Sequence, residues 1–433
     1  LKKSCKMWLL LLLSSATSAV FLAVLVALLV LLFCWLSRPL NRVRRLGDVG
    51  FYFGEPQLSG RYRDAQLERA KRLRLRGDLP PVYPNGWFAI AESPELRPKQ
   101  IKPVVVFGQQ LTLFRAENGS VHLIDSYCPH LGANFNVGGK VVDDNCVRCP
   151  FHGWVFSGES GRCTRIPYST ASIPEQAKVS VWPVVERNRH IYVWYDSDGN
   201  PPAWEIPEID EIASGEWTYK GRTEHEVMCH VQEIPENGAD LAHLGYLHLT
   251  GSPLGNDVIG IDLNNSKPML SHFWDGSWTP SNEQDEKHLS TMHLEQVLRL
   301  CCRDIPLTAS KLDAVQVGPG IVHMHFSFGF WGRGVVLHHV TPEEPLFQRA
   351  RFVMYSELSR WFSRFFLLNE AAQFERDIFV WSNKRYVKSP LLVRDDGPIA
   401  KHRRWFAQFY SPSSPRVLPD GSLSTQPKST LDW

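Results

Sequence analysis

The chain is expected to be α+β, with an N-terminal membrane helix, a small all-β domain, and an α+β catalytic domain whose antiparallel sheet is covered by helices. Three observations predict this. Thirty consecutive residues, Met7 to Leu36, carry no charge. Between Pro84 and Tyr195, β-branched and aromatic runs alternate with Gly, Asn and Asp turn signals. Further on, Ile321 to Phe330 alternates strictly, and segments of helical spacing surround Asp240 and Asp377. The expected divisions are 1–46 (anchor and basic flank), 47–82 (charged linker), 83–200 (all-β domain), 201–410 (catalytic domain) and 411–433 (polar, disordered tail).

About twenty apolar residues cross a bilayer, so the first segment has length to spare. A cleaved signal peptide is the competing reading, but the run exceeds an ordinary signal core and no small-residue cleavage site precedes Arg38. Arg38, Arg42, Arg44 and Arg45 outweigh Lys2, Lys3 and Lys6, which points to a single-pass anchor, as in the endoplasmic reticulum, with the catalytic part in the cytosol. The linker's arginines, Arg61 to Arg76, suit either a basic helix on anionic lipid or a solvated helix. A net charge of +2 gives no electrostatic footing for nucleic acid.

Strands are expected at Val104–Phe107, Leu111–Phe114, Val121–Ile124, Val179–Val185 and His190–Tyr195, with a turn at Glu117-Asn-Gly119. The domain closes at Asp196-Ser-Asp-Gly199. Inside it lie Cys128-Pro-His130-Leu-Gly132 and Cys149-Pro-Phe-His152-Gly153, with eighteen residues between His130 and Cys149. Two loops, each with one Cys and one His, can hold a pair of irons if the thiolates take one metal and the imidazoles the other. That is the ligand set of a Rieske [2Fe–2S] centre, where His in place of thiolate raises the reduction potential. A tetrahedral zinc is the alternative, although zinc fingers usually pair Cys with Cys and His with His. The other seven of nine cysteines form no evident disulfide framework, which favours a reducing compartment. The glycosylation sequons at Asn118 and Asn264 would then go unused.

These paired loops resemble those of Rieske-type proteins. Ala133 and Phe151 stand about where the respiratory members carry an extra Cys, so the resemblance is to the oxygenase branch. The segment Asn134–Arg148 is slightly long for that branch, so an extended hairpin tip is expected around Val142–Asn145.

In the second half, Asp240-Leu-Ala-His243-Leu-Gly-Tyr-Leu-His248 puts Asp240 and His243 on one helix face. His248, five residues on, is rotated away unless the helix ends near Gly245. The pattern resembles the iron-binding segment of Rieske oxygenases, which implies His243 and His248 as ligands of a mononuclear Fe(II), completed by a later carboxylate. On the probable helix Asn369–Tyr386, Asp377 has Phe374, Val380 and Trp381 as neighbours, and a carboxylate on an apolar stripe is costly unless paired or metal-bound. Glu370 and Glu375 are the rivals, with a solvated face as their plainer place. The string Phe374 to Lys384 also resembles the family's carboxylate segment, which favours Asp377. By the same resemblance Asp240 would carry electrons from the cluster of a neighbouring subunit, implying a homotrimer; a helix cap is its plainer role. The alternating strand offers Val322, Met324, Phe326, Phe328 and Phe330 to a core, while His323 and His325 could line a cavity for a large apolar ligand. His338 and His339 are read likewise, and none of these four is expected to be a ligand.

The anchor, the compact D-x2-H-x4-H segment and the Phe374–Lys384 string together resemble the animal cholesterol 7-desaturase family. The resemblance implies O2-dependent removal of hydrogens from C7 and C8 of cholesterol. Gly329-Phe-Trp-Gly332-Arg-Gly334 is not in a nucleotide-binding context, and no second ferredoxin-type Cys set exists. Electrons from NAD(P)H must therefore arrive through a separate reductase or ferredoxin. A hydroxylase of the same fold, a membrane-anchored electron carrier and a zinc-stabilised adaptor are the other readings; three, two or no irons per chain separate enzyme, carrier and adaptor.

Overall fold

Runs of alternating side chains build the larger layer of the computed structural model, which describes residues 20–51, 59–249, 269–418 and 420–424. Nine strands form one sheet, in the order Leu40–Arg44, Thr218–Val227, Phe347–Ser356, Arg333–Glu344, Ile321–Ser327, Ser310–Val317, Leu289–Leu300 and Leu270–Pro280, with Arg303–Asp304 paired to Leu289–Leu300 off that path. Neighbours are antiparallel throughout except for Leu40–Arg44, which runs parallel to Thr218–Val227. Arginines expected to flank an anchor therefore sit on a strand of the catalytic sheet.

The 24-residue helix Arg360–Asn383 packs on this sheet and starts well before the expected Asn369. Leu367, Phe374, Ile378 and Trp381 are buried with Val336, Phe352 and Met354 from the strands. Each such side chain contributes roughly 1.5–3 kcal/mol by leaving water. Val380, expected on the apolar stripe, is instead 40% exposed. The stripe turns away from it because the sheet covers only one side of the helix.

The first domain holds the expected strands in sheets of four, three and four, except that Val179–Val185 divides at Pro183 into Val181–Trp182 and Val184–Arg187, which belong to different sheets because proline cannot donate to a ladder. The last of these sheets, Lys140–Val142, Cys146–Arg148, Val155–Ser157 and Cys163–Arg165, carries the two Cys/His loops. Its hairpin turns at Asp143 and Asp144, both at positive φ, where the long tip was expected.

No helix among the described residues is long and apolar enough to cross a membrane. The expected span Met7–Leu36 is described only from residue 20 onward; residues 20–36 are helical, with Phe21, Leu31 and Phe33 exposed. Within the linker, the helix Gly60–Leu73 buries none of its residues. The start of the expected disordered tail is folded back on the first domain. Ser411 and Ser414 hydroxyls lie 2.9 and 3.2 Å from Ser197 Oγ, and the Val82 N–H donates to the Pro415 carbonyl at 2.8 Å. Polar composition hides such docking because hydroxyls satisfy one another as well as water does. Residues beyond 424 lie outside the described ones.

Candidate active site

The two Cys/His loops are built alike. The Gly132 N–H donates to the Cys128 carbonyl at 2.9 Å and the Gly153 N–H to the Cys149 carbonyl at 3.2 Å. Both glycines sit near φ +70, a conformation costly for a residue with a Cβ. The Cys128 N–H then closes on the Ala133 carbonyl at 2.9 Å and the Cys149 N–H on the Trp154 carbonyl at 2.7 Å. This buries both cysteines and leaves His130 and His152 half-exposed at the outer edge, rings 4.7 Å apart, with Trp154 stacked on His130. Burial pushes the Cys128 thiol up to about 12, so a thiolate is tenable there only when bound to a cation. Paired sulfurs inside and paired imidazoles outside fit a binuclear iron cluster.

Asp240 caps the short helix Leu241–Leu244, its Oδ1 accepting the His243 N–H at 3.2 Å. The helix stops at Gly245, as the five-residue spacing of the histidines requires, and the chain returns so that the two rings lie 5.1 Å apart. Asp377 arrives from the long helix. Its Oδ1 is 3.0 Å from His248 Nε2 and 3.9 Å from His243 Nε2. His243 Nδ1 faces the Asp240 carbonyl oxygen, which holds the proton on Nδ1 and leaves Nε2 as the donor atom. Among the described residues, His243, His248 and Asp377 form the group whose ligand atoms converge within 4.8 Å. Two imidazoles and one carboxylate suit a non-haem Fe(II) site with open positions.

The two rival carboxylates are engaged elsewhere. Glu375 is fully buried and bonded by Arg42 at 2.9 Å and Arg44 at 3.0 Å, with His225 at 3.4 Å. Burial alone would raise its pKa, but hydrogen bonds from His225 and Arg44 and the charges of both arginines hold it well below the usual carboxylate range. Glu370 lies 2.7 Å from His338 Nε2.

A cavity of about 1350 Å³, mouth included, opens beside the three donors, lined among others by Trp274, Leu294, Leu312, Met324, Val340 and Phe352. The apolar face of Ile321–Ser327, through Val322 and Met324, meets this cavity, whereas His323 and His325 do not line it. His323 is instead buried on the far side, where burial pushes its pKa down to about 3. Phe330 is 76% exposed rather than core, because the strand ends at Ser327. His338, read as a possible cavity residue, and Glu370, read as a rival ligand, both line the cavity; sequence reasoning did not find that they pair. A signal for Glu370 existed: it precedes Asp377 by seven residues, two helical turns, and so shares its face.

Arg376 ties this construction together. The residue is 1% exposed, and its guanidinium donates to the Leu247 carbonyl at 3.2 Å, joining the long helix to the residue before His248. Arg376→Met is expected to loosen His248 and lower iron affinity roughly tenfold. Iron content after dialysis against a chelator checks this, and wild-type retention would show the link to be dispensable.

Comparison with known proteins adds relatives to this geometry. Residues 86–183 match the Rieske [2Fe–2S] domain family and residues 193–410 the 3-ketosteroid 9α-hydroxylase C-terminal domain family. A cholesterol 7-desaturase of Caenorhabditis elegans is 59% identical over 92% of this chain and 93% of its own length. A cholesterol 7-desaturase of Xenopus laevis is 44% identical over 95% of this chain and 88% of its own. Among solved structures, dicamba monooxygenase bound to dicamba superposes with a TM-score of 0.54 at 16% identity, covering 75% of this chain and 96% of that one, a likeness of fold.

Proposed function

The chain belongs to the cholesterol 7-desaturase family of Rieske oxygenases, and from that premise we propose that it converts cholesterol to 7-dehydrocholesterol. Its cofactors are a Rieske [2Fe–2S] cluster and a mononuclear iron, with a separate reductase or ferredoxin as electron source. One observation carries the reading of this chain's own site: a large, mostly apolar cavity whose wall includes His243, His248 and Asp377. A pure electron carrier would have no use for that cavity or those three donors.

When bound, the cluster supplies single electrons and the iron supplies activation of O2, the co-substrate. Cys128, Cys149, His130 and His152 would hold the first; His243, His248 and Asp377 would hold the second. Asp240 fixes the His243 ring through its carbonyl, and its half-exposed carboxylate is the group we assign to electron entry from a neighbouring subunit of a homotrimer. The aliphatic and aromatic walls exclude water and press the sterol skeleton into one pose. Overall, cholesterol, O2 and NAD(P)H with one proton give the diene, two waters and NAD(P)+.

We also read the N-terminal segment as a membrane anchor, with the catalytic part in the cytosol. Support comes from the charge-free stretch and from the exposed apolar side chains of the helix at 20–36. That helix end is held to the long helix: Arg360 donates to the Ser37 carbonyl at 3.0 Å and Arg364 lies over the Trp35 ring at 4.0 Å. A sterol leaving the bilayer then has a short route to the cavity.

Membranes containing the protein, supplied with cholesterol, O2, NAD(P)H and a reductase, are expected to produce the ultraviolet absorbance of a conjugated diene. Hydroxysterol without diene would establish the hydroxylase reading instead.

A further inference from the structure

One polar device in the cavity is left without a task. Glu370 Oε1 accepts the His338 Nε2–H at 2.7 Å, while Glu370 Oε2 is buried with no hydrogen-bond partner. The pair is only 14–20% exposed, and the Phe352 ring stacks on His338 with centroids 4.0 Å apart. Glu370 and His338 both line the cavity, and a carboxylate oxygen left there without a donor is costly. A ligand O–H brought to this end of the cavity would supply the missing donor.

Its distance from the metal group fits a sterol. Glu370 stands seven residues before Asp377 on the same helix, about 10 Å along the axis. In cholesterol the 3-oxygen and C7 are five bonds apart, roughly 6 Å. That length plus an O–H···O bond of about 2.8 Å falls within the axial spacing, so a hydroxyl held at Glu370 leaves C7 on the Asp377 side of the cavity.

We propose that Glu370, held by His338, receives the 3β-hydroxyl of the sterol and makes this end of the cavity a subsite for hydroxyl donors that rejects 3-ketosteroids. The inference rests on the sterol reading above and adds its polarity. A 3-keto oxygen is an acceptor only, so against Glu370 Oε2 it places two acceptors face to face. A site built around a substrate hydroxyl discriminates strongly, since the wrong ligand leaves a buried group unpaired. Glu370→Gln keeps the shape and the acceptor for His338 while turning an amide N–H toward the cavity, so it should welcome the ketone.

The test is equilibrium binding of radiolabelled cholesterol, cholest-4-en-3-one and cholesterol 3-methyl ether to the detergent-solubilised full chain, with its iron content and [2Fe–2S] spectrum recorded alongside. Wild type is expected to bind cholesterol at least about tenfold more tightly than either analogue. Glu370→Gln should lower the cholesterol-to-enone ratio at least about tenfold, with iron and cluster retained. Equal wild-type binding of cholesterol and its methyl ether overturns the proposal without any variant having to fold. So does an unchanged ratio in Glu370→Gln. If wild type still makes diene from cholesterol, either result removes the subsite and spares the sterol reading; if it binds no sterol and makes no diene, both fall.

Discussion

His243→Ala is expected to remove turnover while the [2Fe–2S] signal of the reduced protein stays intact. His243 Nε2 is one of three donor atoms aimed at one point, and its ring is steered there by the Asp240 carbonyl. Losing a residue that only orients a ligand already costs about 10–100-fold in metal affinity or activity, so losing the donor should exceed a hundredfold. The two Cys/His loops lie on a separate sheet and none of their bonds involves His243. Iron analysis should therefore fall from about three atoms per chain to about two, with electron paramagnetic resonance unchanged. Disappearance of the cluster signal would mean that the two metal sites had been assigned the wrong way round.

Glu375→Ala is expected to lower stability by about 3 kcal/mol. The carboxylate is fully buried and bonded by Arg42 and Arg44, whose side chains are 31% and 29% exposed. Removing one partner of a buried ion pair strands the other, which is the expensive way to break it; partial exposure of the arginines puts the cost at the lower end of the range. For a domain of this size the loss corresponds to a fall in melting temperature of roughly 6–12 °C. Arg42 and Arg44 belong to the strand Leu40–Arg44, so the change also removes one of the ties between the N-terminal segment and the helix that carries Asp377, leaving those of Arg360 and Arg364. Limited proteolysis near residue 38 should then speed up. A melting temperature within about 2 °C of wild type would show that the strand is held by its backbone ladder to Thr218–Val227 alone.

These two changes also mark where sequence reading reaches and where it stops. His243 was legible because the histidine spacing demanded a break near Gly245, and the helix does end there. Glu375 was legible only as a rival ligand with a solvated face as its plain alternative. It is neither solvated nor beside the histidines, because its partners come from a strand 331–333 residues earlier. The alternating strand Ile321–Ser327 was recognised, but the face assigned to a possible cavity was the wrong one. Alternation says that two faces differ; what covers each is settled by the long helix and the first domain.

By itself, the sequence determined the two matching Cys/His loops and the donor atoms they offer, the capped Asp240–His248 turn, the all-β and α+β division, and the family likeness. All of these are encoded within short stretches, where bond geometry and turn preferences act. Only the tertiary structure decided which of three carboxylates on one helix stands beside the histidines, that Glu370 pairs with His338, and that the arginines after the apolar segment grip Glu375. Side chains on one helix differ by small rotations, and a buried carboxylate takes the role of whichever donor the fold brings within about 3 Å. Those donors lie 32 to 333 residues away, beyond the reach of any local pattern.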